Sequence, residues 1–312
     1  MDMTGFAFVF PGQGSQALGM LDGFSGNAVV EQTMQEASRA IGVDLEGLIA
    51  VGPKDALDLT TNTQPVMLAA SVAFYRAWIA AGGAVPRVVA GHSLGEFSAL
   101  VVAGVIEFSD AVRLVRFRAQ AMQEAVPVGQ GGMAAILGLS DEEVISACEE
   151  AAQGEIVEPA NFNAPSQLVI AGHLSALERA CEIARARGAR RAIMLPVSAP
   201  FHSSLLTPAS IRLREFMEGL TFSEPQIPVI NNVDVAIVSD PLAIRDALVR
   251  QVASSVRWVE SIRKMAAMGI THVVECGPGR VLAGLSRRID ESLTGEAIFD
   301  QASLDKLLEE LK

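Results

Sequence analysis

Short apolar runs alternate with longer amphipathic ones along most of the chain. FAFVF (6–10), VPRVVA (85–90), PVINNV (228–233) and HVVECGP (272–278) are brief and rich in β-branched or aromatic residues, so they read as buried strands. VVEQTMQEASRAIG (29–42), QPVMLAASVAFYRAWIAAG (64–82), DPLAIRDALVRQV (240–252) and WVESIRKMAAMG (258–269) read as helices. So does SDAVRLVRFRAQAMQEAVP (109–127), with Ser109 or Asp110 as its N-cap. GQGG (129–132) reads as a break, and beyond it the units shorten. Strand MAAILGL, capped helix SDEEVISACEEAAQ, strands EIVEPANFN and SQLVIAG, helix SALERACEIARARG and strand ARRAIMLPV follow in turn. That βαββαβ order is the split pattern of a ferredoxin-like unit. The expected fold is α/β, with a discontinuous large domain (1–127 and 199–312) and a small one (128–198) inserted in it. A cleft between them is the natural place for a site.

Composition narrows the function. Of 312 residues, 50% are hydrophobic, which provides a substantial core. No apolar run approaches the roughly 18–20 residues of a membrane helix, and MDMTGFAFVF lacks the basic start and cleavage site of a leader. A net charge of −12 argues against a nucleic-acid partner. The 3 cysteines and 4 histidines are widely spread and form no metal-ligand spacing, so no metal and a reducing, cytoplasmic compartment are expected.

AGHSLGEFSAL (90–100) carries the first candidate chemistry. Gly91-x-Ser93-x-Gly95 joins a strand to a helix, the context of a nucleophile elbow; elsewhere the same spacing is only a turn. A serine needs a base. Strand alternation turns His92 away from Ser93, His173 opens a small-domain helix, and His272 alternates within a strand. His202 lies in PVSAPFHSS, an irregular stretch where the two domains rejoin, and is the favoured base. No acidic residue is evident to orient it; a carbonyl or amide can do so instead.

On a helical projection of about 100° per residue, Leu114, Val115, Ala121, Met122 and Ala125 share one arc, with Arg118 among them. Arg113, Arg116, Gln120, Gln123 and Glu124 share the other. A guanidinium on an apolar arc must find an anion: either an internal salt bridge or a substrate carboxylate. FPGQGSQALG superficially matches a dinucleotide fingerprint, yet Glu31 sits in a helix and not at the end of a second strand. Its turn can instead aim backbone N–H groups at an oxyanion. RARGARR (185–191) is a basic helix end, with docking of an acidic partner as the alternative.

Taken together, FPGQGSQ (10–16), AGHSLGE (90–96), RAQAMQEAVP (118–127), NFNAPSQLVIAG (161–172), SAPFHS (198–203), QVASSVRW (251–258) and ECGPGRVLAGL (275–285) resemble the malonyl-CoA:acyl-carrier-protein transacylase family, including related polyketide synthase acyltransferases. The resemblance spans nearly the whole chain. It implies an α/β-hydrolase-like core with a ferredoxin-like insert, and a ping-pong transfer needing no cofactor. The implied partners are malonyl-CoA and the holo carrier protein, and the implied state is a monomer. Ser93 would take the malonyl group as an ester, with His202 as base and Arg118 pairing with the malonyl carboxylate. The backbone N–H groups of Gln13 and Leu94 would form the oxyanion hole, and the main-chain carbonyl of Gln251 would orient His202. Asn161 and Asn163 match a stretch near the cleft, and Phe201 would crowd a 2-methyl branch on the substrate. The competing expectations are a serine esterase or thioesterase using water, with His272 as its base, and a non-catalytic carrier-protein binder.

Overall fold

The computed structural model describes residues 5–197 and 199–311; Ser198, the first residue of the SAPFHS segment, and the first four residues lie outside it. Two sheets organise the chain. Five parallel strands form the larger: β1 (Gly5–Phe10), β2 (Val88–Gly91), and, after the inserted sheet, β7 (Val229–Ile230), β8 (Ile270–Cys276) and β9 (Thr294–Ile298). Their order is β7-β2-β1-β8-β9, which puts β1 at the centre.

β1 is buried on both faces, as a central parallel strand must be. Phe6, Phe8 and Phe10 alternate onto one face and enter the principal core, where Phe8 meets Trp78 edge-on at 5.5 Å. The smaller Ala7 and Val9 face the other way and leave room for Trp258 and Ile262 of the Trp258–Ala267 helix. Each buried Phe contributes about 1.5–3 kcal/mol relative to an exposed one. The Thr60–Ala80 helix, buried nearly all round, is the core's central rod. It starts at Thr60, one turn before the expected QPVMLA start, and Thr63 Oγ1 donates to the Leu57 carbonyl (2.6 Å) across the entry.

The smaller sheet is antiparallel: β3 (Gly131–Leu137), β4 (Val157–Ala164), β5 (Gln167–His173) and β6 (Arg191–Met194) in the order β4-β5-β3-β6. The helices Asp141–Ala152 and Leu174–Ala186 pack on it, completing the ferredoxin-like arrangement. Ser140 and Glu143 close a capping box on the first helix, as its SDEE start predicts. Gly131 and Gly132 are the first residues of β3 and not part of a break.

A further expected boundary is corrected. The helix carrying Arg118 runs Phe108–Glu124 with Glu107 at its N-cap, so Ser109 and Asp110 lie inside it. Phe108 is buried and its ring lies under Arg76 (4.5 Å). Burying that ring outweighs a side-chain cap worth about 1 kcal/mol. No helix among the described residues is long and apolar enough to cross a membrane.

Candidate active site

In an open α/β sheet the loops beyond the carboxyl ends of the strands form the binding crevice. Here β2 ends at Gly91, level with Phe10 of β1, and the chain turns within three residues into the Gly95–Val102 helix. The turn is tight enough to demand glycine on both sides. A Cβ on Gly91 would lie 1.8 Å from the Gly95 carbonyl carbon, and one on Gly95 would lie 2.0 Å from the Phe10 carbonyl oxygen. Between them Ser93 adopts φ 53°, a left-handed conformation that costs a non-glycine residue about 1–3 kcal/mol. Asn232 holds this shape: its Oδ1 accepts from the Ser93 amide (2.8 Å) and its Nδ2 donates to the Gly91 carbonyl (2.8 Å).

His202 reaches the elbow from the loop after β6. It too has a positive φ, 62°. Its Nε2 lies 2.6 Å from Ser93 Oγ. Its Nδ1 faces two carbonyl oxygens, Gln251 at 2.9 Å and Ser254 at 3.2 Å. Carbonyls only accept, so Nδ1 carries the proton and Nε2 is free to receive one from the serine. Burial, and then the positive charge of Arg118, pull the imidazole pKa from an ordinary 6.5 down to about 3; the two carbonyls oppose this.

Arg118 is 1% exposed and donates from Nη2 to Ser93 Oγ (3.1 Å) and to Gln251 Oε1 (2.9 Å), and from Nη1 to Gln64 Oε1 (3.0 Å). Its Nε, fully buried, has no hydrogen-bond partner among the described residues. Among the described residues it forms no ion pair, so the internal salt bridge allowed by its helix position is absent. Burial lowers its pKa to about 10, which leaves it charged at neutral pH. The Phe97 ring lies 5.2 Å from the guanidinium carbon.

A cavity of about 250 Å³ opens over these groups. It is lined by Gln13, His92, Ser93, Leu94, Arg118, Asn161, Asn163, Phe201 and His202, so the sequence-predicted residues converge on one place. Gln251 stands behind it, fully buried. The Gln13 and Leu94 amides have no hydrogen-bond partner among the described residues. Gln13 itself is tethered by its side chain to Thr60 Oγ1 (3.2 Å). His92 turns away from Ser93, as strand alternation requires; its Nε2 pairs with Asn163 Oδ1 (2.8 Å) and ties the elbow to β4.

The other histidines are elsewhere. His173 ends β5 and accepts from the Ile156 amide through Nδ1 (3.0 Å). His272 is level with Phe6, four residues back along β1 from the elbow's level, roughly 13 Å at about 3.3 Å per residue. It cannot serve Ser93 as a base.

Sequence reasoning missed Gln64, Asn232, Ser254 and Glu96. Glu96 gave a signal like that of Arg118, a charge set among apolar neighbours. Asn232 and the Ser254 carbonyl gave none.

A strand–elbow–helix serine, met by an imidazole from a distant loop at the carboxyl edge of a parallel sheet, defines the class of serine acyl-transfer proteins of α/β fold. Residues 7–296 match the family described as the acyl transferase domain. The malonyl CoA-acyl carrier protein transacylase of Salmonella typhimurium is 53% identical over 98% of this chain and 99% of that protein, and that of Bacillus subtilis is 40% identical over 99% and 98%. Among solved structures, the acyl-carrier-protein S-malonyltransferase of Burkholderia pseudomallei superposes with a TM-score of 0.97 at 63% identity, covering 98% of this chain and 99% of that one. A malonyl-transacylase solved in complex with a type II polyketide synthase acyl-carrier protein gives a TM-score of 0.97 at 52% identity, covering 98% and 99%. The chain belongs to the malonyl-CoA:acyl-carrier-protein transacylase family.

Proposed function

We propose that this protein moves a malonyl group from malonyl-CoA to the phosphopantetheine thiol of an acyl carrier protein, through an ester on Ser93. The observation that carries the reading is that one oxygen, Ser93 Oγ, touches both an imidazole acceptor and a buried cation that has no counter-ion in contact among the described residues. A base beside a nucleophile suits any acyl transfer. A sunken guanidinium aimed at the same atom suits an acyl group that ends in a carboxylate only a few bonds away.

The steps follow from these positions. Ser93 Oγ attacks the thioester carbonyl while its proton passes to His202 Nε2. Negative charge develops on the carbonyl oxygen, where the free amides of Gln13 and Leu94 stabilise it. The intermediate collapses, the C–S bond breaks, and His202 returns the proton to the leaving CoA thiolate. In the second half, His202 takes the proton of the carrier thiol. The thiolate displaces the ester, and Ser93 Oγ recovers the proton. One thioester replaces another, so no outside energy source is required.

Arg118 supports selectivity for malonyl over acetyl, because an acetyl group leaves its charge unanswered. Sites built to pair a polar group reject analogues lacking it by about 10⁴-fold. Asn161 and Asn163 line the same cavity from β4, within the inserted segment 128–198, and Phe201 limits its width. Three free, buried thiols, Cys148, Cys181 and Cys276, support a cytoplasmic setting, and we read the enzyme as a monomer.

The test is partition between acceptors. Ser93-bound malonyl should pass to holo carrier protein far faster than to water. Release mainly as free malonate in the presence of the carrier would favour a thioesterase instead.

A further inference from the structure

Glu96, on the first turn of the helix after the elbow, is 2% exposed and is not among the residues that line the Ser93 cavity. A single oxygen of its carboxylate, Oε2, accepts two hydrogen bonds: from Gln251 Nε2 (2.8 Å) and from the Asn232 amide (3.0 Å). Those two residues are the ones that shape the site. Gln251 also donates to the Ser93 carbonyl (3.0 Å), presents Oε1 to Arg118 Nη2 and places its own carbonyl against His202. Asn232 grips both sides of the elbow through Ser93 and Gly91.

The Gln251 amide can be read in one orientation only. Its nitrogen faces two acceptors, the Glu96 carboxylate and the Ser93 carbonyl, so its oxygen must face Arg118. Glu96 thereby dictates which end of Gln251 meets the guanidinium. With an apolar side chain at 96, the amide loses one of the two acceptors that fix this choice. A flipped amide would present N–H groups to Arg118, and the cation would turn from its present aim.

We propose that Glu96 is a positioning residue of the acylation site: through Gln251 it fixes the direction of Arg118, and through Asn232 it fixes the strained turn at Ser93. This rests on the malonyl-transfer reading. Its signature is a loss of selectivity for a carboxylate-bearing acyl group, beyond a loss of rate.

The test compares single-turnover acylation of Ser93 by malonyl-CoA and by acetyl-CoA in wild type, Glu96→Gln, Glu96→Leu and Glu96→Asp. Because one oxygen makes both bonds, Gln can reproduce them without the charge, whereas Leu cannot and Asp falls a methylene short. The expected result is a fall of about 30-fold or more in malonyl acylation for Glu96→Leu, with the malonyl-to-acetyl ratio lowered by about tenfold or more, and substantial rescue of that ratio in Glu96→Gln. If Glu96→Leu does not fold, Glu96→Asp should show the same change of ratio. A folded Leu or Asp variant with the wild-type ratio would overturn the proposal, as would a Gln variant no better than Leu. Failure of the wild type to acylate at all would instead overturn the malonyl-transfer reading, so the two failures are distinguishable.

Discussion

Arg118 donates a hydrogen bond to the hydroxyl oxygen of Ser93 across 3.1 Å, so the site's buried cation reaches the proposed nucleophile itself. A carboxylate held by that guanidinium is necessarily close to an acyl carbon bonded to Ser93. The short span between the two charged or reacting atoms matches a three-carbon diacid better than a long-chain acyl group.

Replacing Arg118 should therefore change preference as well as rate. Arg118→Ala is expected to lower kcat/KM for malonyl-CoA by about 10³-fold or more while affecting acetyl-CoA much less. Steady-state kinetics with both thioesters measures this. An unchanged preference would make the arginine a structural residue. Some loss of stability is expected as well, because the amides of Gln64 and Gln251 lose their shared partner.

The two candidate bases separate cleanly. His202→Ala should reduce acylation by about 10²–10⁴-fold, the range of a general base. His272→Ala should leave most of the activity, since His272 sits at the far end of β8 from the elbow. The reverse result would return the esterase reading, with water as acceptor.

The pH profile follows from the depressed His202 pKa. A base with a pKa of about 3 is already neutral throughout the range from pH 5 to 8. Acylation by malonyl-CoA should then show no acid limb near 6.5, where an ordinary histidine would impose one. Stability has the opposite sensitivity to protonation. Between pH 6.5 and 3 the unfolded chain binds a proton at this position and the folded chain does not, so stability falls as pH falls through that window. Glu96, raised to about 7 by burial, opposes this between 4.5 and 7, because there the folded state holds the extra proton. Below 4.5 only the His202 contribution remains of the two. The melting temperature of wild type should accordingly drop more steeply from pH 4.5 to 3 than that of His202→Ala; parallel curves would contradict the low pKa.

Phe201 is 9% exposed and lines the cavity next to His202. Phe201→Ala opens space for a branch at the carbon between the two carbonyl groups. The ratio of methylmalonyl-CoA to malonyl-CoA acylation should rise by about tenfold or more, a methyl group being worth roughly 1–3 kcal/mol in an apolar pocket. No change in that ratio would remove Phe201 from the specificity determinants.

Much of this arrangement is legible in the chain because it violates local pattern. Ser93 shows as a polar residue between glycines at a strand–helix junction. Arg118 shows as a charge on an apolar arc. Glu96 shows in the same way, two residues after Leu94 in a helix that is otherwise uncharged, where an unpaired buried charge is costly. The Gln251 carbonyl entered only through family resemblance, and the Ser254 carbonyl not at all, since a main-chain acceptor leaves no trace in residue identity. Ser254 also belongs to the segment that anchors the small domain: the Val256 amide donates to Ala160 (2.8 Å), and the Phe162 amide donates to Val256 (3.0 Å). Pairing across such a distance in sequence is set by tertiary contact. The two-residue strand β7 is equally weak as a local signal. The misplaced cap at Ser109 or Asp110 has the same cause, a buried Phe108 outweighing a local preference.

The most direct measurement is the intact mass of the protein after brief exposure to malonyl-CoA without carrier protein, followed by peptide mapping. A gain of about 86 Da, one malonyl group in place of a hydrogen, should appear on Ser93 and be absent from Ser93→Ala. No adduct in the wild type, or one that persists in Ser93→Ala, would contradict transfer through this serine.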